Sequence, residues 1–230
     1  MVARRWGDCK DKSLLLVRLL QEVGIEAHPV LVSLQSRSTA RQLLPSPAAF
    51  EHVVVRVTMD GRDHWLDPTR TVQSSRLDRL GQHLEAAAVL PVQPGAQGLV
   101  DIVSPQREQL FQSDVAERFT STQWNGEGRL QLEQTFVGLV AGNVRTALQP
   151  LDDRQRRDLA LGGYERRYPG ITLDESPRFD DDERNNRIIM RASCRIPKLL
   201  ADAGAGWAMR YFVVPEQFKS AMYGPASHRS

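Results

Sequence analysis

Cysteine is nearly missing from this chain. Cys9 and Cys194 are the only two in 230 residues, so at most one bridge can form and a disulfide-built scaffold is excluded. The two fall in different predicted domains, so a bridge between them is not expected. No paired-cysteine or closely spaced histidine pattern completes four ligands, which argues against a structural metal. Long apolar runs are missing too: the richest, AAAVLPV at 86–92, falls far short of the roughly 18 residues that span a bilayer. The first residues lack the charged, apolar and small-residue regions of an export signal. Neither charge sign is in large excess. Thirty Lys and Arg against 28 Asp and Glu give a net charge of +2, and the basic residues are scattered, so a nucleic-acid-binding stripe is not expected. What remains is an ordinary globular composition, 41% apolar and 25% charged, enough for two domains.

The pattern along the chain predicts an α+β protein. Leu15, Leu16, Leu19, Leu20 and Val23 recur at three- and four-residue spacing after Cys9, and Gly24 follows as a helix stop. Residues 25–34 read as a strand and 35–49 as a polar, proline-bearing loop. HVVVRVTM and RDHWLDPT flank Asp60-Gly61, the strongest hairpin signal in the sequence. Past it come a short helical stretch near 77–84, a strand near 86–92, and a boundary near 105–114. Residues 1–112 are therefore read as one domain. Residues 115–230 are read as a second, β-rich one, with a hairpin about NGEG at 125–128, a short helix ended by Pro150, a longer helix from Asp152 or Asp153, and strands at 171–179, 187–196 and 207–214. The acidic run DDDER at 180–184 reads as a solvated turn, and Cys194, among alternating apolar neighbours, as a buried structural thiol.

Chemistry gathers before residue 70. A cysteine in the first turn of a helix sits beside unpaired N–H groups and the positive end of the helix dipole, which favour thiolate over thiol. Gly7 allows a tight entry and Asp8 can cap the helix, so Cys9 is a candidate nucleophile. Hairpin parity selects its partner. With Asp60-Gly61 as a two-residue turn, Val57 pairs with His64 and Val54 with Asp67. His52, Val54, Arg56, Trp65 and Asp67 then share one face, while Val53, Val55, Val57, His64 and Leu66 share the other. Diagonal neighbours on one face lie about 7–8 Å apart at their backbones, within reach of a carboxylate and an imidazole. His64 is excluded by parity. Cys9, His52 and Asp67 are thus the candidate catalytic residues: nucleophile, general base and acid, and orienting carboxylate. Trp65 reads as strand packing, and Lys10, Asp11 and Lys12 as helix surface.

The blocks GDCKDKSLLLVRLLQEVGIEAHPVLV, FEHVVVRV and HWLDPT, in that order, resemble the bacterial transglutaminase-like superfamily, whose core is a papain-like cysteine fold. The resemblance covers roughly residues 4–92. It implies the same three roles for Cys9, His52 and Asp67, with Glu51 in place of the Asn or Asp common before that histidine. The segment from 115 onward resembles the β-rich domain that follows this core in long exported bacterial proteins. By that comparison, helices expected before the nucleophile are missing from the first eight residues, so the chain reads as a C-terminal fragment with an upstream domain as partner. Export to the periplasm is likewise implied only by resemblance. The expected function is thiol acyl transfer on amide bonds of peptide-like substrates, without a cofactor or metal. A catalytically impaired binding or scaffold protein with the same triad is the alternative.

Overall fold

The structure is a computed structural model that describes residues 6–82, 84, 86–102, 111–121, 126–202 and 207–209. It is mixed α+β, with two antiparallel sheets and few helices. The chain divides into two compact units. The first comprises Met1–Gln112 together with Val137–Thr146 and Glu183–Asn186, and the second holds the rest.

In the first unit, helix α1 (Cys9–Glu22) precedes strands β1 (Glu26–Val32), β2 (His52–Met59), β3 (Arg62–Leu66), β4 (Ala88–Pro91) and β5 (Val100–Asp101). They form one sheet in the order β3-β2-β1-β4-β5. Gly24, at φ +79°, takes the left-handed position just past α1 that favours glycine. The hairpin register has the expected parity: Met59 faces Arg62, Val57 faces His64 and Val55 faces Leu66. β1 pairs with β2 from Glu26–Thr58 to Val32–His52. Alternation then divides the sheet's two faces. Val55, Val57 and Leu66 pack with Leu16, Val17 and Leu20 of α1, while Val30, Val32, Val54 and Val89 form a separate cluster with Leu84 and Ile102. Trp65 packs against that second cluster. Pro29, which cannot donate to a ladder, lies just outside the β1–β4 pairing, which runs from Val30 to Val32.

Two local readings differ from the structure here. Residues 35–49 contain two 3-10 turns, Arg37–Gln42 and Pro47–Ala49, and the helical stretch near 77–84 is a single 3-10 turn, Leu77–Arg79. Two later segments also join this unit. Helix α2 (Leu139–Leu148) buries Leu139, Ala141, Gly142 and Arg145. Asn186, at φ +51°, donates to the Arg79 carbonyl at 2.9 Å and accepts from Arg145 Nη1 at 2.6 Å, while its own carbonyl accepts from the Gly138 N–H.

The second unit carries most of β6 (Phe111–Ser121) and of β7 (Gly128–Gly138), helices α3 (Asp153–Leu161) and α4 (Tyr164–Arg167), and β8 (Thr172–Leu173), β9 (Arg178–Asp182) and β10 (Arg187–Ile196). The sheet order is β6-β7-β10-β8, with β9 also on β10. Asp152 caps α3 in a reciprocal box with Gln155, as its position predicts. The core gathers Leu130, Leu132, Tyr164, Tyr168, Met190, Cys194 and Ile196. The acidic run is not a turn as a whole. Asp180, Asp181 and Asp182 are strand residues paired with Ile189, Ile188 and Arg187, and the turn is 183–186. Arginines of the neighbouring strand offset the charge, Arg191 pairing with Asp180 and Arg187 with Asp182. A short ribbon, β11 (Leu200–Asp202) with β12 (Trp207–Met209), follows. The predicted strand beyond 209, most of the 105–114 boundary and Asn125 of the NGEG turn lie outside the described residues. No helix among the described residues is long and apolar enough to cross a membrane.

Candidate functional site

The site begins at the start of α1. Asp8 caps the helix: its Oδ1 accepts from the N–H groups of Lys10 and Asp11, and Asp11 Oδ2 accepts from the Asp8 N–H. These bonds hold the Asp8 carboxyl below its ordinary value, that from Asp11 foremost. Cys9 follows at the first helical position, where its own N–H has no intrahelical acceptor. Lys10 reaches Asp8, at 3.6 Å, and both are exposed. One turn on, Ser13 is fully buried and donates its hydroxyl to the Val53 carbonyl at 2.9 Å, fastening this end of the helix to β2 beside His52.

His52 opens β2, paired with Val32. Its Nε2 lies 2.9 Å from Asp67 Oδ2, and the Cys9 side chain is near enough to act on the ring. With Nε2 donating to the carboxylate, Nδ1 is the nitrogen left to exchange a proton with sulfur. The bond to Asp67 holds the imidazole above its ordinary value, opposed by partial burial and helped to a smaller degree by Cys9. The preceding Glu51 accepts from the N–H groups of Leu34 and Gln35, with the Ser33 side chain also acting on its carboxyl, so it ties the strand end of β1 to the start of β2. Burial would raise its carboxyl, but these bonds outweigh that and lower it.

Asp67 is the first residue past β3 and is largely buried. Its two oxygens divide their work. Oδ2 meets His52, and Oδ1 accepts from the Thr69 N–H at 2.9 Å and the Thr69 hydroxyl at 2.6 Å. Burial alone would raise this carboxyl; the bonds from His52 and Thr69 outweigh it and hold the group below its ordinary value. The backbone is held as well. The Asp67 carbonyl accepts from Gln73 Nε2 at 2.8 Å, and Gln82 Nε2 in turn donates to Gln73 Oε1 at 2.8 Å.

The structure thus hydrogen-bonds His52 to Asp67 and brings Cys9 near the same ring. Parity had singled out His52 from His64, which sits across from Val57 on the strand pair. Thr69, Gln73, Gln82, Ser13 and Glu51 carried no signal in the sequence beyond their nearness to the triad blocks; each acts through a contact that only the fold creates. Both cysteines are free thiols. Cys194 is buried in the second unit's core, and burial pushes its thiol up to about 11. Among the described residues no cluster of His, Cys, Asp and Glu could hold a metal ion. His83 and His228 lie outside the described residues. No family model, curated protein or solved structure matches this chain.

Proposed function

We propose that the protein is a thiol acyl-transfer enzyme with a papain-like, transglutaminase-like core, acting on amide bonds of peptide-like substrates. One observation carries the reading: a buried carboxylate holds Nε2 of a histidine whose ring lies near a cysteine at a helix start, which leaves Nδ1 for the thiol. His52 takes the thiol proton through Nδ1 as Cys9 Sγ attacks the carbonyl carbon. The Cys9 N–H is available to the developing oxyanion. Collapse of the tetrahedral adduct breaks the C–N bond, and the imidazolium returns the proton to the leaving amine. A thioester remains on Cys9. Water or a second amine then attacks it, His52 again moving the proton, and the free thiol is restored. Asp67 stays ionised throughout and fixes the ring.

The test uses p-nitrophenyl acetate as a small activated acyl donor and locates the acetyl group by peptide mass mapping. The expected result is acetyl on Cys9 of the full chain, strongly slowed in His52→Ala and absent in Cys9→Ser. A folded protein that takes no acetyl at Cys9, or takes it equally fast without His52, contradicts the reading and favours a binding protein that keeps the triad geometry.

A further inference from the structure

Asp67 sits on a loop, not on a strand, and a loop does not by itself hold a carboxylate to the tolerance that proton transfer requires. A closed ring of side chains underlies it. Arg70 Nη1 donates to Gln82 Oε1 at 3.2 Å, Gln82 Nε2 donates to Gln73 Oε1 at 2.8 Å, and Gln73 Nε2 donates to the carbonyls of Asp67 and Arg70. The Arg70 N–H also donates to the Asp67 carbonyl. Each amide in the ring uses its oxygen and its nitrogen, so a flip loses two bonds at Gln82 and three at Gln73. The second strong bond from Arg70 Nη1, 2.6 Å, goes to the Gly81 carbonyl.

Both ends of that last bond are pressed by one helix. A Cβ on Gly81 would fall 2.2 Å from the Leu139 nitrogen, and a Cβ on Gly142 would fall 2.8 Å from Arg70 Nη2. Leu139 and Gly142 belong to α2, one turn apart, so the helix abuts the acceptor with its first residue and the guanidinium with the next turn. These approaches are possible because neither position carries a side chain. Neither described bond of the Arg70 side chain goes to the Asp67 carboxylate itself.

Building on the triad reading above, we propose that Arg70 is a positioning residue, through which helix α2 fixes the loop of Asp67 and hence the orientation of His52. Asp67 and Cys9 are the titratable groups that act on the His52 ring, so the ring's own titration reports how well Asp67 is held. Partial burial lowers Arg70 from its ordinary value, and the Asp67 charge opposes that only in part, as expected of two groups in one partly buried polar region.

The experiment follows the His52 ring protons by NMR across pH in the full chain, assigned with His52→Ala, beside thermal melting and the pH profile of Cys9 alkylation. The variants are Gly142→Ala, Arg70→Met and Arg70→Lys. Gly142→Ala keeps every charge but displaces the guanidinium, and Arg70→Met removes the ring's anchor. Both are expected to shift the His52 midpoint downward, toward about 6.5, and to slow alkylation, while Arg70→Lys recovers part of the loss. A His52 midpoint unmoved in folded Gly142→Ala and Arg70→Met, with only the melting temperature lowered, overturns the proposal in favour of a merely structural role. A midpoint that rises in Arg70→Met and stays fixed in Gly142→Ala overturns it in favour of a long-range charge effect. If Gly142→Ala does not fold, the two Arg70 variants decide. Asp67→Asn in the same assay separates the two levels: no fall there contradicts the triad reading, whereas a fall there without one in the Arg70 and Gly142 variants contradicts this proposal alone.

Discussion

Ser13 and Val53 join the helix of Cys9 to the strand of His52: the serine one turn after Cys9 donates to the carbonyl of the residue after His52, at 2.9 Å and out of contact with solvent. Ser13→Ala removes the bond and leaves a buried carbonyl short of a partner, a loss of about 1–3 kcal/mol in stability. Denaturant unfolding measures it. Alkylation of Cys9 is expected to slow in the same variant, because the helix end is then free to shift from His52. A variant that loses stability without any change in thiol reactivity would show that the bond only holds the fold together.

The His52–Asp67 pair predicts a window of pH. His52 is raised in the folded protein, so its contribution is fully present below the unfolded value of about 6.5 and is lost as pH rises through the folded one. Asp67 is lowered, so its contribution is present above about 3.8 and is lost as pH falls through the folded value. The stability difference between the wild type and Asp67→Asn is therefore expected to be largest between about pH 4 and pH 6.5 and to shrink on either side. Urea unfolding at a series of pH values checks this. A difference that is flat with pH contradicts the linkage.

Asn186 closes the first unit in a left-handed conformation while bonding Arg79, Arg145 and Gly138. Asn186→Ala loses the side-chain bonds at a site 4% exposed and adopts the same backbone less readily, so the expected cost is about 2–3 kcal/mol. Asn186→Gly restores the backbone freedom but not the bonds, and is expected to fall as far or slightly less. Thermal melts of the three proteins compare the two effects. An alanine variant as stable as the wild type rules out the clip.

Strand parity is a local property, and it was legible: once Asp60-Gly61 fixed a two-residue turn, the register from Met59–Arg62 back to Val55–Leu66 followed, and His52 and His64 were separated. The helix start at Cys9 was legible for the same reason, since Asp8 caps within three residues. The support of Asp67 was not. Gln73, Gln82 and Arg70 meet only because the chain from 67 to 82 folds back on itself, and no period or spacing encodes that. The joining of 137–146 and 183–186 to the first unit was hidden too, because α2 reads from sequence only as a short helix ended by Pro150 and its use of Gly142 against Arg70 depends on a partner distant in sequence. DDDER misled through composition: charge suggested a solvated turn, whereas pairing with Arg187, Ile188 and Ile189 makes three of its residues a strand.

The central claim, that His52 activates the Cys9 thiol, is tested most directly by iodoacetamide labelling of the full chain near pH 6, with each cysteine followed by peptide mass mapping. The account predicts stoichiometric labelling of Cys9 with Cys194 spared, since the latter is buried with its thiol pushed up to about 11. It predicts a loss of about tenfold or more in the Cys9 rate in His52→Ala, and little change in His64→Ala. Equal rates in the wild type and His52→Ala, with both proteins folded, would contradict it.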